Sequence, residues 1–197
     1  MSQAGHTLAN AAAELTPAWP MVPACYGWLA LDARGIWRLR GETVSHGGLI
    51  AFLCAHYARD EDGCWLVHNG PQRVFVDLEA APLILRLHPD GSLRSHTGRT
   101  VTPVAPLLID ADGNAFMATG DGPAMIDDRD LATFASALTT TDRAAAGDDD
   151  LLALLGGGHH PDLRWRGLAV ELHLLNVQPP VRGAATILLP RGELADY

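Results

Sequence analysis

Three groups of residues in this 197-residue chain have types and spacings that suit chemistry. The first is Arg86, His88, Arg94 and His96, in the stretch LILRLHPDGSLRSHTG. Its loop, Pro89-Asp90-Gly91, has the form of a type I turn closed by a glycine bulge. That loop sets Arg86 opposite Arg94 and puts both histidines on the same face. Leu83, Leu85, Leu87 and Leu93 fall on the other. Guanidinium forks grip carboxylates and phosphates through paired N–H donors, which an ammonium does not match. A cationic strand pair in an acidic protein is therefore a candidate anion site. The ordinary alternative is the solvated outer face of a sheet.

The second group is His68, Arg73 and Asp77, in CWLVHNGPQRVFVDL. Asn69-Gly70 is a favoured pair for a two-residue type I′ turn, which sets Trp65 opposite Val74 and Val67 opposite Gln72. His68, Arg73 and Asp77 then share a face. Arg73 joins Arg86, His88, Arg94 and His96 as an expected ligand contact. A carboxylate within reach of a histidine orients a general base, so His68 with Asp77 is the alternative, hydrolase-like reading. The third group, His159, His160 and Asp162 in GGGHHPD, offers metal-ligand types, but neighbouring histidines on a strand point apart. No metal or cofactor is expected. TGDGPAM lacks the Lys-Ser/Thr of a phosphate loop, and no G-x-S-x-G elbow occurs.

The elements that must position these residues follow from turn signals and hydrophobic period. GWLALDARGIWRLRG alternates about Asp32-Ala33-Arg34-Gly35 and reads as a hairpin. SHGGLIAFLCAHYARD reads as an amphipathic helix, with Ser45 as its cap and RDEDG as its end. DLATFASAL reads as a second helix capped by Asp127 or Asp128, preceded by the loop TGDGPAMIDD. GDDD at 147–150 supplies capping and dipole chemistry for a short helix. Strands are expected within LRWRGLAVELHLL.

Composition narrows the function class. The formal charge of −9 argues against binding duplex DNA, RNA or an anionic membrane surface. All 14 basic residues are arginine. The three cysteines, Cys25, Cys54 and Cys64, have neither an even count nor a CxxC spacing, so no disulfide framework is expected. The first residues lack the pattern of a signal peptide and no apolar run approaches ~20 residues. A cytoplasmic protein is the expectation.

LLIDADGNAFM at 107–117 echoes LALDARGIWRL at 29–39, with an offset of 78. Hairpin-then-helix therefore occurs twice. The expected layout is a flexible N-terminal tail over 1–25, a first α+β repeat over 26–100 and a second over 101–197. The expected fold class is α+β: mostly antiparallel sheets with packed helices, in two similar tandem hairpin-helix-hairpin subdomains.

The stretches YGWLALDARGIWRLRGETVSHGGLIAFL, DGCWLVHNGPQRVFVDLE, APLILRL and SHTG resemble a proteobacterial domain-of-unknown-function family. More distantly, the chain is similar to a second such group built from two repeated α+β motifs. The resemblance implies that fold, a bacterial cytoplasmic setting and, through the second group, a ligand-sensing or signalling role. It transfers no catalytic residues. The leading expectation is a non-enzymatic regulatory module taking a small anionic ligand or a protein partner in a groove between repeats. An interaction scaffold, with Trp19, Trp28 or Trp37 on the surface, is the third reading.

Overall fold

One five-residue loop turns the chain back repeatedly. The backbone N–H of its first residue donates to the carbonyl of its fifth at Asp32, Asp60, His88, Ser95, Asp110 and Thr140. Gly35, Gly63, Gly91, Gly98 and Gly113 hold its fourth position at φ between 73° and 84°, a region that costs a side chain strain. Where the loop opens with aspartate, the carboxylate does further work. Oδ1 of Asp32 accepts from Arg34 and Ile36, that of Asp60 from Asp62 and Cys64, and that of Asp110 from Asp112 and Asn114. Each carboxylate satisfies two backbone donors that the turn would otherwise orphan.

The structure, a computed structural model, describes residues 22–142, 144–155 and 163–172. These loops and a set of two-residue turns build three-stranded meanders. The first is β1 (Ala24–Leu31), β2 (Trp37–Leu39) and β3 (Glu42–Thr43); the second is β4 (Tyr57–Arg59), β5 (Trp65–Asn69) and β6 (Gln72–Leu78). Helix α1 (Gly47–His56) joins them. The second meander ends beside the start of the first: β6 runs parallel to β1, with Leu29 opposite Val76 and Leu31 opposite Leu78. The resulting sheet has the order β3-β2-β1-β6-β5-β4. Trp37, Tyr57 and Trp65 fill the core under it, with ring centroids 5.2 and 4.9 Å apart along that sequence.

The chain divides into two compact units between Ala80 and Ala81. The second unit opens with the meander β7 (Leu83–Leu87), β8 (Leu93–Ser95) and β9 (Thr100–Val101). Next come β10 (Pro103–Ile109), β11 (Ala115–Thr119) and β12 (Gly122–Ile126), then a 3-10 turn at Asp128–Asp130 and α2 (Leu131–Ser136). β13 (Leu138–Thr139), α3 (Asp148–Leu155), β14 (Arg164–Trp165) and β15 (Leu168–Leu172) follow. The sheet order is β13-β14-β15-β10-β11-β12-β7-β8-β9, with β12 parallel to β7 and β10 parallel to β15. Here Leu107 lies opposite Val170 and Ile109 opposite Leu172. Segments 24–78 and 103–172 thus share one plan, meander–helix–meander closed by a parallel pair.

These pairings correct the α+β expectation. Strand accounts for 45% and helix for 18% of the described structure, and both sheets are large, curled and mixed rather than antiparallel with packed helices. The physical reason is that each helix between meanders is only a short crossover, while strands supply the rest of the structure. The expected tail reaches into the fold, since Ala24 and Cys25 lie in β1; residues 1–21 of it are outside the described residues. Residues 81–100, grouped with the first repeat in the sequence reading, pair in the sheet of the second unit.

Local readings shift as well. The stretch expected as a loop, TGDGPAMIDD, contains β12. His46 rather than Ser45 caps α1, and Tyr57–Arg59 is strand. In the second meander Asn69 pairs with Gln72 and Val67 with Val74, so Gly70-Pro71 is the turn and the register moves by two residues with the faces unchanged. As expected, GDDD starts a helix, α3, where the Asp150 carboxylate accepts from the Gly147 N–H at 2.8 Å. No helix among the described residues is long and apolar enough to cross a membrane.

Asp110 is 7% exposed and also accepts from the Asn114 side chain at 2.9 Å. Asp110→Ala orphans two backbone donors in a buried turn and is expected to cost about 1–3 kcal/mol in urea unfolding. An unchanged midpoint contradicts that role.

Candidate functional site

The pocket of the first unit forms where the first meander hands over to α1. Leu39 pairs with Glu42 across Arg40-Gly41, whose φ values of 52° and 86° are those of a type I′ turn. The Arg40 guanidinium carbon lies 4.9 Å from the centroid of the Trp28 ring, a cation–π contact that orients the side chain. The Val44 N–H donates to the Trp37 carbonyl at 2.9 Å, which draws Val44 into the core. Nδ1 of His46 accepts from the Leu49 N–H at 3.2 Å, so the neutral ring carries its proton on Nε2. Between these groups lies a pocket of about 480 Å³. Leu39, Val44 and Leu49 supply its apolar wall, and Arg40, Glu42, Thr43, Ser45 and His46 its polar groups. That volume is in the range of small-molecule sites.

The second unit holds two ion pairs in which a buried aspartate meets a half-exposed arginine. Asp127 is fully buried; its backbone N–H donates to the Leu85 carbonyl at 2.9 Å, and its carboxylate takes a two-pronged grip from Arg129. Burial pushes the Asp127 carboxyl up, but the Arg129 side-chain and backbone hydrogen bonds outweigh it and hold it down at about 2. Asp130 accepts from Nε of Arg86 at 2.6 Å, from its Nη2 at 3.3 Å and from the Leu87 N–H at 2.9 Å. The Arg86 hydrogen bond lowers that carboxyl against the opposing effect of burial. The segment Asp127–Asp130 thus continues the edge of β7 with side chains where strand pairing ends.

These contacts decide what the sequence-selected residues can do. Arg86 does lie opposite Arg94, but it is engaged by Asp130, forty-four positions away in sequence. Arg94 lies 3.5 Å from Asp90. Burial holds His96 at about 4, so it is neutral at physiological pH, and its Nδ1 accepts from the Ile84 N–H at 3.4 Å. His88 is half-buried at the head of its loop, where its N–H donates to the Ser92 carbonyl. Arg73 belongs to the other unit, its guanidinium carbon 5.6 Å from the Phe75 centroid. The five expected contacts therefore do not converge as a free cationic face within one unit.

The alternative pair is separated by register. His68 is exposed and lies opposite Arg73, whereas Asp77 sits four residues further along β6, ~13 Å at ~3.3 Å per residue. The two do not form a dyad. Of the tryptophans read as surface markers, Trp37 is core at 2% exposure, Trp28 lies half-buried under Arg40, and Trp19 is outside the described residues. His159, His160 and Asp162 are also outside them. Sequence reasoning passed over Arg40 and His46. The signal available was Arg-Gly between two short apolar-polar runs, a type I′ turn in a segment read only as the end of a hairpin.

Residues 10–171 match the family model DUF2944, described as "Protein of unknown function (DUF2946)". The chain belongs to that family. Among solved structures, this DUF2944 chain is similar to a DUF1285 family protein from Silicibacter pomeroyi DSS-3, at 15% identity and a TM-score of 0.46, over 68% of this chain and 86% of that one. It is also similar to a DUF1285 family protein from Shewanella baltica OS155, at 16% identity and a TM-score of 0.39, over 55% and 90%. Among curated proteins nothing matches it.

The ionised and buried groups give the DUF2944 chain a defined acid response. Below an unfolded value near 6.5 the unfolded chain binds a proton at His96 that the folded chain refuses, so stability falls from about pH 6.5 toward about 4, at up to ~1.4 kcal/mol per unit. Asp127 acts lower: its stabilisation is present above its unfolded value near 3.9 and is lost as pH falls toward about 2. In urea unfolding across this range, His96→Gln removes the upper slope and Arg129→Ala reduces the lower one, where Asp130 keeps its own share. An unchanged upper slope in His96→Gln contradicts the assignment.

Proposed function

We propose that this chain is a non-enzymatic binding module with a regulatory role. Its ligand is a small molecule that carries a carboxylate or phosphate beside a hydrogen-bond donor. The observation that carries this reading is the pocket of about 480 Å³ between the Arg40-Gly41 turn and the start of α1. There Arg40, held against Trp28, offers paired donors to an anionic group, and Nε2–H of His46 offers another. Glu42 accepts from an amino or hydroxyl group of the same ligand, and the apolar wall excludes water from one side. The anion expectation thereby moves from Arg86 and Arg94 to a turn whose arginine has, among the described residues, no carboxylate grip of the kind Asp130 makes on Arg86.

Two further features support the reading. The buried aspartates Asp32, Asp110, Asp127 and Asp130 all serve turns or ion pairs that hold the fold. Among the described residues Cys25, Cys54 and Cys64 form no disulfide, and burial raises all three, which suits inert thiols of a reducing, cytoplasmic setting.

The test is a thermal-shift and calorimetric screen of the full chain with amino acids, hydroxy acids and phosphorylated metabolites. At least one member of these classes is expected to bind saturably, and Arg40→Ala to weaken it by roughly tenfold to a hundredfold. Absence of binding across the classes, or a hit indifferent to Arg40→Ala, contradicts the proposal.

A further inference from the structure

The two meander–helix–meander segments can be compared residue by residue through their ladders. Leu31 pairs with Trp37 in the first, and Ile109 with Ala115 in the second. Tyr57 opens the strand after α1, and Leu138 opens the strand after α2. The first segment therefore fills its core with Trp37 and Tyr57 where the second has Ala115 and Leu138. Phe134 and Trp165, with ring centroids 5.2 Å apart, lie in that core instead, and a gap remains beside Leu138. The connection differs too: residues 60–64 form a tight turn, whereas residues 140–163 carry α3, which brings Leu151 over the gap.

The second unit carries there a cleft of about 300 Å³, lined among the described residues by Ile109, Leu131, Phe134, Leu138 and Leu151. Protein interiors close such space when sequence allows, because lining atoms without partners lose contact energy. We propose that this cleft is a second ligand site, which takes the aliphatic chain of a medium-chain molecule with an uncharged head, such as a fatty alcohol. The described side chains that bound it are all hydrocarbon, so contact with an apolar chain is the recognition they offer. Asp148, Asp149 and Asp150 precede Leu151 on the same helix, and the chain carries a formal charge of −9. A carboxylate head would meet that charge, so a free fatty acid is disfavoured. The site is independent of the polar pocket in the first unit.

The test is titration of the full chain with 1-decanol, followed by methyl NMR. Saturable shifts at Ile109, Leu131, Leu138 and Leu151 are expected, with decanoate weaker by roughly tenfold or more. Leu138→Tyr, which restores the first segment's residue, is expected to abolish decanol binding without lowering the melting temperature. Ala135→Phe fills the same space from α2 and serves if Leu138→Tyr does not fold. No saturable decanol binding, or binding that survives filling of the cleft, overturns the site; equal affinity for decanoate overturns the uncharged head. An amino or hydroxy acid that binds at Arg40 bears on neither outcome.

Discussion

A parallel strand pair at the seam of each meander–helix–meander segment is the constraint on which the rest of the structure depends. The first strand of one meander must lie beside the last strand of the next, running the same way. A tight turn cannot make that connection. Within these two segments α1 and the 3-10 turn with α2 make the crossover between meanders, whereas the parallel pair of β7 and β12 closes without a helix. Once the seam is closed, β1 and β10 lie inside their sheets, paired on both sides, and their apolar residues are buried as Leu29, Leu31, Leu107 and Ile109 are. The loops that open with Asp32 and Asp110 then leave from buried strands, which is why their carboxylates sit at under a tenth exposure and must be fully hydrogen-bonded.

This arrangement explains why the buried carboxylates of this acidic protein all serve a turn or an ion pair. Asp127 and Asp130 stand where β12 leaves the sheet, and their arginine partners neutralise them there. Removing an arginine would strand its buried aspartate without a counter-charge, whereas the arginines themselves are half exposed. The pockets form at places the seam does not control. One lies beside a two-residue turn at the sheet edge, the other under a helix inserted into a lengthened connection.

Much of this was legible along the chain, because turns and hairpins are local. Asp32-Ala33-Arg34-Gly35 and Pro89-Asp90-Gly91 declare their loops by residue type, and the register of Arg86 against Arg94 follows from loop length. The seam was not legible. Parallel pairing at the seams joins residues 47 to 63 positions apart, and strands of two or three residues, such as Glu42–Thr43 or Leu138–Thr139, are too short to show a period. Mistaking the class for α+β follows from that: helices announce themselves over ten residues, short strands do not. The basic hairpin misled for a related reason. Arg86 and Asp130 are distant in sequence, so the strand face looked open while its strongest cation already had a partner. A Pro after Asn69-Gly70 displaced the turn by one residue, which separated nothing on the faces but moved the pairing along the strands.

Cross-strand NOEs at the seams test the central claim most directly. The account predicts contacts between β1 and β6 around Leu29 and Val76, and between β10 and β15 around Leu107 and Val170, in the parallel pattern at both places. Antiparallel contacts at either seam, or none between those strands in a folded sample, would contradict it.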